Sequence, residues 1–216
     1  MDNIKAVIFD LDGTLLDSMY VWSYVDEEFL HKRGFTVPDF YGRECSHRSF
    51  YDTALYTIEL FGLDETPEEI MAEWTSLAIK EYSENVKLKP FADRAVELAL
   101  QRGYKTAVCT SLTRELYSPA LKNNGLDKSF EVIVSAAEYK KGKQYPDIYL
   151  HTAKLLSVEP QECIVLDDVS ASLCAARQAG MKTVGVIDPD SGQDEEEMKE
   201  YSDKLVYRLN KDIYDI

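Results

Sequence analysis

Apolar positions along the chain fall into short unbroken runs near its start and through its second half, with helical stripes between them. The first run, Ala6-Val7-Ile8-Phe9, leads straight into Asp10 and Asp12, one residue apart, and then Gly13 and Thr14. A short apolar run bounded by glycine predicts a buried strand. Alternation along an extended chain sends Asp10 and Asp12 to one side and Leu11 to the other, and Gly13 lets the backbone turn sharply. After Ser18 the period becomes helical. Met19, Trp22, Val25, Phe29 and Leu30 share one stripe, with Gly34 placed to end it, and Tyr51, Ala54, Leu55, Ile58 and Phe61 share a second, closed by Gly62. A third helix opens at Thr66-Pro67-Glu68-Glu69, where Thr66 caps, Pro67 takes the first helical position and Glu69 completes a capping box. Ile70, Trp74, Leu77 and Ala78 give it an apolar face. No strand pattern interrupts this region, so residues 17–86 read as a small all-helical unit.

From Lys87 onward helix and strand patterns alternate. Helices are expected over 91–102, after Thr110-Ser111 with a break or restart at Ser118-Pro119, from Pro146, over 170–179 and from Asp194. Strands are expected over 104–109, 130–134, 162–166 and 183–187, with an edge strand within 204–209. Strands alternating with helices of this length pair in parallel, with helices on both faces. The fold class is therefore α/β: a doubly wound, Rossmann-like parallel sheet built from 1–16 and 87–216, with the helical unit 17–86 inserted into it.

Charge narrows the partners. Lys and Arg number 24 against 39 Asp and Glu, a net −15, which disfavours nucleic acid and anionic membrane surfaces. A small phosphorylated metabolite is still compatible, because one metal ion, one lysine and a few backbone N–H groups hold an anion whatever the outer charge. Cys45, Cys109, Cys163 and Cys174 are scattered without a Cys-x-x-Cys pair and read as packing residues in a reducing compartment. No apolar run is long enough to span a bilayer, so a cytoplasmic protein is expected, a monomer or weak dimer.

Four of the expected strands end in polar groups: Asp10 and Asp12; Thr110 and Ser111; Lys143 in the loop Lys140-Lys141-Gly142-Lys143; and Asp167 and Asp168. Each has a plainer role alone, as a helix cap, a solvated lysine or an acidic loop. Carboxyl ends of parallel strands converge on one edge, however, so these residues meet there. Carboxylates for a hard cation, hydroxyls and an ammonium together make a site for a phosphoryl group.

The four segments resemble the motifs of the haloacid dehalogenase superfamily, in its phosphatase and phosphomutase branch. Asp-Leu-Asp-Gly-Thr-Leu-Leu-Asp-Ser at 10–18 is similar to the first motif, Val108-Cys109-Thr110-Ser111 to the second and Val165-Leu166-Asp167-Asp168 to the fourth. Gly142-Lys143-Gln144-Tyr145-Pro146-Asp147 resembles the third, with Gln144 and Tyr145 departing from it. The resemblance implies Asp10 as a nucleophile that becomes an aspartyl-phosphate and Asp12 as general acid and base. It implies Mg2+ held by Asp10, the Asp12 carbonyl, Asp168 and, directly or through water, Asp167. Lys143, Thr110, Ser111 and backbone N–H groups near Leu11 would hold the phosphate. The inserted helical unit would be a mobile cap.

A phosphatase acting on a small phosphorylated metabolite is the first expectation. A beta-phosphoglucomutase-type mutase shares all four motifs, although that branch, like many sugar-phosphate phosphatases, tends to carry a histidine where Trp22 aligns. A signalling receiver domain uses similar groups, but with its acidic pair first in the chain and its lysine last. In the cap, Trp22, Tyr24, His47, Arg48 and Tyr51 are candidates for its underside, and Arg43 and Arg48 are the anion-binding candidates for the substrate.

Overall fold

Ala6, Val7, Ile8 and Phe9 are wholly buried in the computed structural model, which describes residues 4–45, 48–139 and 141–216, and they form strand β1 (Ala6–Phe9). Each large apolar side chain there contributes roughly 1.5–3 kcal/mol by leaving water. A two-residue strand, β2 (Leu16–Asp17), follows, and it pairs antiparallel with β3 (Lys87–Leu88), Leu16 facing Leu88 and Asp17 facing Lys87. Strands this short carry no readable period, and none was expected there. The chain forms two compact units, one comprising the described residues up to Met19 together with Val86–Ile216, the other Tyr20–Asn85.

The second unit holds α1 (Val21–His31), α2 (Tyr41–Cys45), α3 (Phe50–Phe61) and α4 (Pro67–Glu84). Trp74 of α4 meets Phe29 edge to face at 5.4 Å and Phe50 at a tilt at 5.5 Å, measured between ring centres. The capping box of Thr66 and Glu69 forms, and Gly62 caps α3 in the left-handed region at φ 63°. Two expected faces shift. The buried face of α1 is Val21, Val25, Phe29 and Leu30, while Trp22 is 43 % exposed, because the stripe begins one residue earlier. Tyr51 and Leu55 are exposed and α3 buries Ala54 and Thr57 instead. Against that face stands α2, which sequence periodicity missed: it delivers the fully buried Tyr41, whose hydroxyl pairs with Thr57 Oγ1 at 2.6 Å. Buried Glu81 accepts bonds from Tyr20 Oη and Asn85 Nδ2, both at 2.8 Å, and so joins the first and last residues of this unit.

Beyond β3 the first unit continues with α5 (Ala92–Gln101), β4 (Lys105–Thr110), α6 (Arg114–Asn123), β5 (Val132–Ser135), α7 (Pro146–Leu156), β6 (Cys163–Asp167), α8 (Ser170–Gln178), β7 (Lys182–Val186), α9 (Glu195–Glu200) and β8 (Lys204–Val206). The six longer strands form one parallel sheet in the order β5-β4-β1-β6-β7-β8. On one face, Ile8, Ala107 and Val165 pack with Ile148 and Tyr149 of α7 and Ala176 of α8. By alternation Val7, Phe9, Val108 and Leu166 point the other way, and they are equally buried. Helices flank the sheet, as expected of a doubly wound α/β fold. The expected break at Pro119 is absent: α6 runs through it, at the cost of one N–H bond to the Glu115 carbonyl. All four cysteines are free, and no described helix is long and apolar enough to cross a membrane.

Candidate active site

Register sets the site. Phe9 lies opposite Val108 on β4 and Leu166 on β6, so the residues just past these strands emerge at one edge of the sheet. The Asp10 N–H donates to the Leu166 carbonyl at 2.9 Å, which fixes where the carboxylate starts. Asp10, Asp167 and Asp168 are 5 %, 1 % and 2 % exposed, and each offers an oxygen within 4.8 Å of the other two. Lys143, itself buried, reaches in from the loop after β5, with Nζ 2.7 Å from Asp10 Oδ1 and 2.7 Å from Asp167 Oδ2. The second oxygen of Asp167 accepts the Val169 N–H at 3.0 Å.

Three carboxylates thus face a single ammonium. Burial raises all three above the usual range for aspartate, with Lys143 pulling against it. Asp167 is pushed up to about 7. Asp168 is pushed up to about 9, by burial and then by the charges of Asp10 and Asp167. Burial alone would lower Lys143, but Asp10 and Asp167 outweigh it and hold its ammonium well above the ordinary lysine value. Clustered, desolvated carboxylate oxygens short of positive charge are the donor set a hard divalent cation takes.

The turn after β1 is built to bring Asp168 close. Gly13 has φ +72°, and a Cβ on it would lie 2.3 Å from Asp168 Oδ2, so the two touch only because the residue is glycine. Thr14 Oγ1 lies 3.5 Å from Asp168 Oδ1. The Leu11 side chain is wholly buried, and its carbonyl gathers the N–H groups of Thr14, Leu15 and Leu16. Asp12 Oδ1 accepts from the Ser18 hydroxyl at 2.6 Å. Ser18, like Thr14, sits in the opening motif, where nothing but proximity marked it.

Asp10, Asp12, Ser111, Lys143 and Asp168 line a cavity of about 310 Å³, with Met19 and Gln144 on its wall. Thr110 is placed differently. It is fully buried at the end of β4, and its hydroxyl accepts the Leu112 N–H at 3.1 Å, shaping the loop that presents Ser111. Cys109, beside it, is pushed up to about 12 by burial and remains a thiol, a packing residue. Arg43 and Arg48 lie in the second unit, Arg43 exposed on α2 and Arg48 paired with Glu44 at 3.3 Å and seated over the Tyr56 ring. His47 and Lys140 lie outside the described residues.

The chain is similar to known proteins along most of its length. The model of the haloacid dehalogenase-like hydrolases matches residues 7–186. YhcW of Bacillus subtilis (strain 168), assigned as a phosphatase, is 31 % identical over 193 residues, covering 88 % of this chain and 86 % of its own. The phosphorylated carbohydrates phosphatase of Thermotoga maritima is 28 % identical over 196 residues, covering 85 % and 86 %. A crystal structure from Thermotoga maritima, assigned as a beta-phosphoglucomutase, superposes with a TM-score of 0.86 at 25 % identity, covering 98 % of this chain and 97 % of that one. The chain is an enzyme of the haloacid dehalogenase-like hydrolase family.

Proposed function

We propose that this enzyme is a Mg2+-dependent phosphatase that hydrolyses a small phosphate monoester, of the phosphorylated-carbohydrate class, through an aspartyl-phosphate on Asp10. The observation that carries the reading is the buried Asp10–Lys143–Asp167 bridge with Asp168 beside it. Both Asp167 oxygens are engaged, by Lys143 and by the Val169 N–H, so Asp168 and Asp10, with the Asp12 carbonyl, are the groups to hold the cation. When bound, that cation supplies positive charge against the repulsion between phosphate and carboxylates.

Asp10 attacks phosphorus, forming a new P–O bond as the bond to the leaving oxygen breaks. Lys143 aims the carboxylate and neutralises one phosphate oxygen. Asp12, held by Ser18, gives its proton to the leaving oxygen and later takes one from the water that splits the aspartyl-phosphate. Ser111 lies where its hydroxyl and N–H can meet the transferred group. The helical unit is read as the cap that selects the substrate, with Arg43 and Arg48 as its anion-binding groups. The free cysteines of the enzyme suit a reducing compartment, the cytoplasm.

Phosphate release from sugar phosphates and p-nitrophenyl phosphate tests the reading. Activity is expected with Mg2+, is lost in EDTA, and falls by about 1,000-fold or more in Asp10→Asn, which keeps the shape but not the nucleophile. Substantial turnover in that variant would sink the nucleophile assignment. Conversion of glucose 1-phosphate to the 6-phosphate without net release would point instead to a mutase, the activity assigned to the superposed structure. Trp22 on α1 stands where that branch, and many sugar-phosphate phosphatases with it, tend to carry a histidine, so the release assay and not this residue decides between the two.

A further inference from the structure

Lys89 follows β3 and lies off the cavity wall, yet its side chain turns into the loop that carries Asp12. Its Nζ donates to the Gly13 carbonyl at 2.8 Å and to Asp188 Oδ2 at 2.6 Å. The lysine side chain is 16 % exposed and that of Asp188 5 %. Asp188 follows β7, and its other oxygen accepts the Asp190 N–H at 2.8 Å, so the acceptor is itself fixed. The backbone adds to the grip, for the Lys89 N–H donates to the Leu15 carbonyl at 2.9 Å.

The loop explains why this matters. The N–H groups of Thr14, Leu15 and Leu16 turn in on the Leu11 carbonyl, and the Gly13 N–H donates to the Leu16 carbonyl at 3.1 Å. The Gly13 carbonyl instead meets the Lys89 ammonium. On the other side, the space a Cβ would need at Gly13 is taken by Asp168. A charge-assisted bond to its carbonyl and the Asp168 carboxylate packed against its Cα hold Gly13 from two sides, and Asp12 is the residue immediately before it.

We infer that Lys89 is a positioning residue for Asp12, acting through the Gly13 carbonyl, and that Asp188 keeps its ammonium aimed. The inference rests on the proposed acid–base role of Asp12. It separates from a merely structural role by leaving group. An alkyl phosphate needs Asp12's proton on the departing oxygen, whereas p-nitrophenolate leaves without one, so misplaced acid harms the first far more than the second.

The test compares kcat/KM of wild type, Lys89→Met and Asp188→Asn on glycerol phosphate and p-nitrophenyl phosphate, with Mg2+. Lys89→Met is expected to lose about 10-fold or more on the alkyl ester and about 3-fold or less on the aryl ester. Asp188→Asn should lose less, in the same ratio, and Lys89→Arg should recover part of the alkyl activity. If Lys89→Met does not fold, the ratio in Asp188→Asn decides. Equal fractional losses on both esters, or none, overturn the inference while leaving the phosphatase reading standing. A wild type inactive on both esters overturns that reading, and this inference with it.

Discussion

Single residues decide the chemistry here, and the sequence shows which ones in proportion to how local their role is. Asp10, Asp12, Lys143, Asp167 and Asp168 stood out because strand ends in a parallel sheet must converge. The Gly13–Asp168 contact did not, since it joins positions far apart in the chain and only coordinates show that Asp168 occupies the space a Cβ at Gly13 would need. Gly13→Ala is therefore expected to cut kcat by about 100-fold or more, by displacing Asp168, and to cost about 1 kcal/mol for a left-handed alanine; steady-state kinetics and a thermal melt read the two effects. Asp26 on α1 was equally silent in the sequence. Burial pushes it up to about 7, above its unfolded value, so the native state binds the extra proton and stability declines as pH rises from about 4 to 7. Asp26→Asn should stabilise the protein by roughly 1–2 kcal/mol at pH 8, allowing for its partial exposure, and by almost nothing at pH 4. Denaturant melts at the two pH values check this, and an equal gain at both would show that Asp26 does not titrate in that window.

Elements were legible where local chemistry announced their ends. The Thr66–Glu69 box, Pro67 and Pro146 at first helical positions, and Gly62 all mark boundaries that the structure keeps. Thr66→Ala should lower the unfolding free energy by about 1 kcal/mol, while p-nitrophenyl phosphate hydrolysis stays at the wild-type level. What local signals could not supply was α2, a helix of one turn and a half whose buried Tyr41 pairs with Thr57 on the buried face of α3, and the β2–β3 ribbon, whose strands pair residues on either side of the helical unit. Pro119 misled for the opposite reason. Its local penalty is real, but one lost bond is small beside the packing of Leu116, Ala120 and Leu121.

For the whole molecule, the ribbon holds Asp17 and Lys87, which flank the insertion, about 5 Å apart. Replacing Tyr20–Asn85 by a short Gly-Ser bridge between Met19 and Val86 should therefore leave the sheet intact. The truncated enzyme is expected to hydrolyse p-nitrophenyl phosphate within about 10-fold of wild type while losing its preference among sugar phosphates. Ratios of kcat/KM over a substrate panel measure this, and a preserved preference order would move the selector to the loops after Thr110 and Asp168.

The place of β1 has a consequence for how the protein is made. The strand sits in the middle of the sheet, flanked by β4 and β6, both of which follow it in the chain and come off the ribosome later. Until Cys163–Asp167 emerges, one edge of a wholly apolar strand has no native neighbour. The helical insertion, rich in local contacts, can fold in that interval, but the sheet cannot close around its first strand. Nascent chains arrested before Cys163 should therefore protect the insertion from protease and leave Ala6–Phe9 open to cleavage, with protection of β1 appearing only once β6 is clear of the exit tunnel.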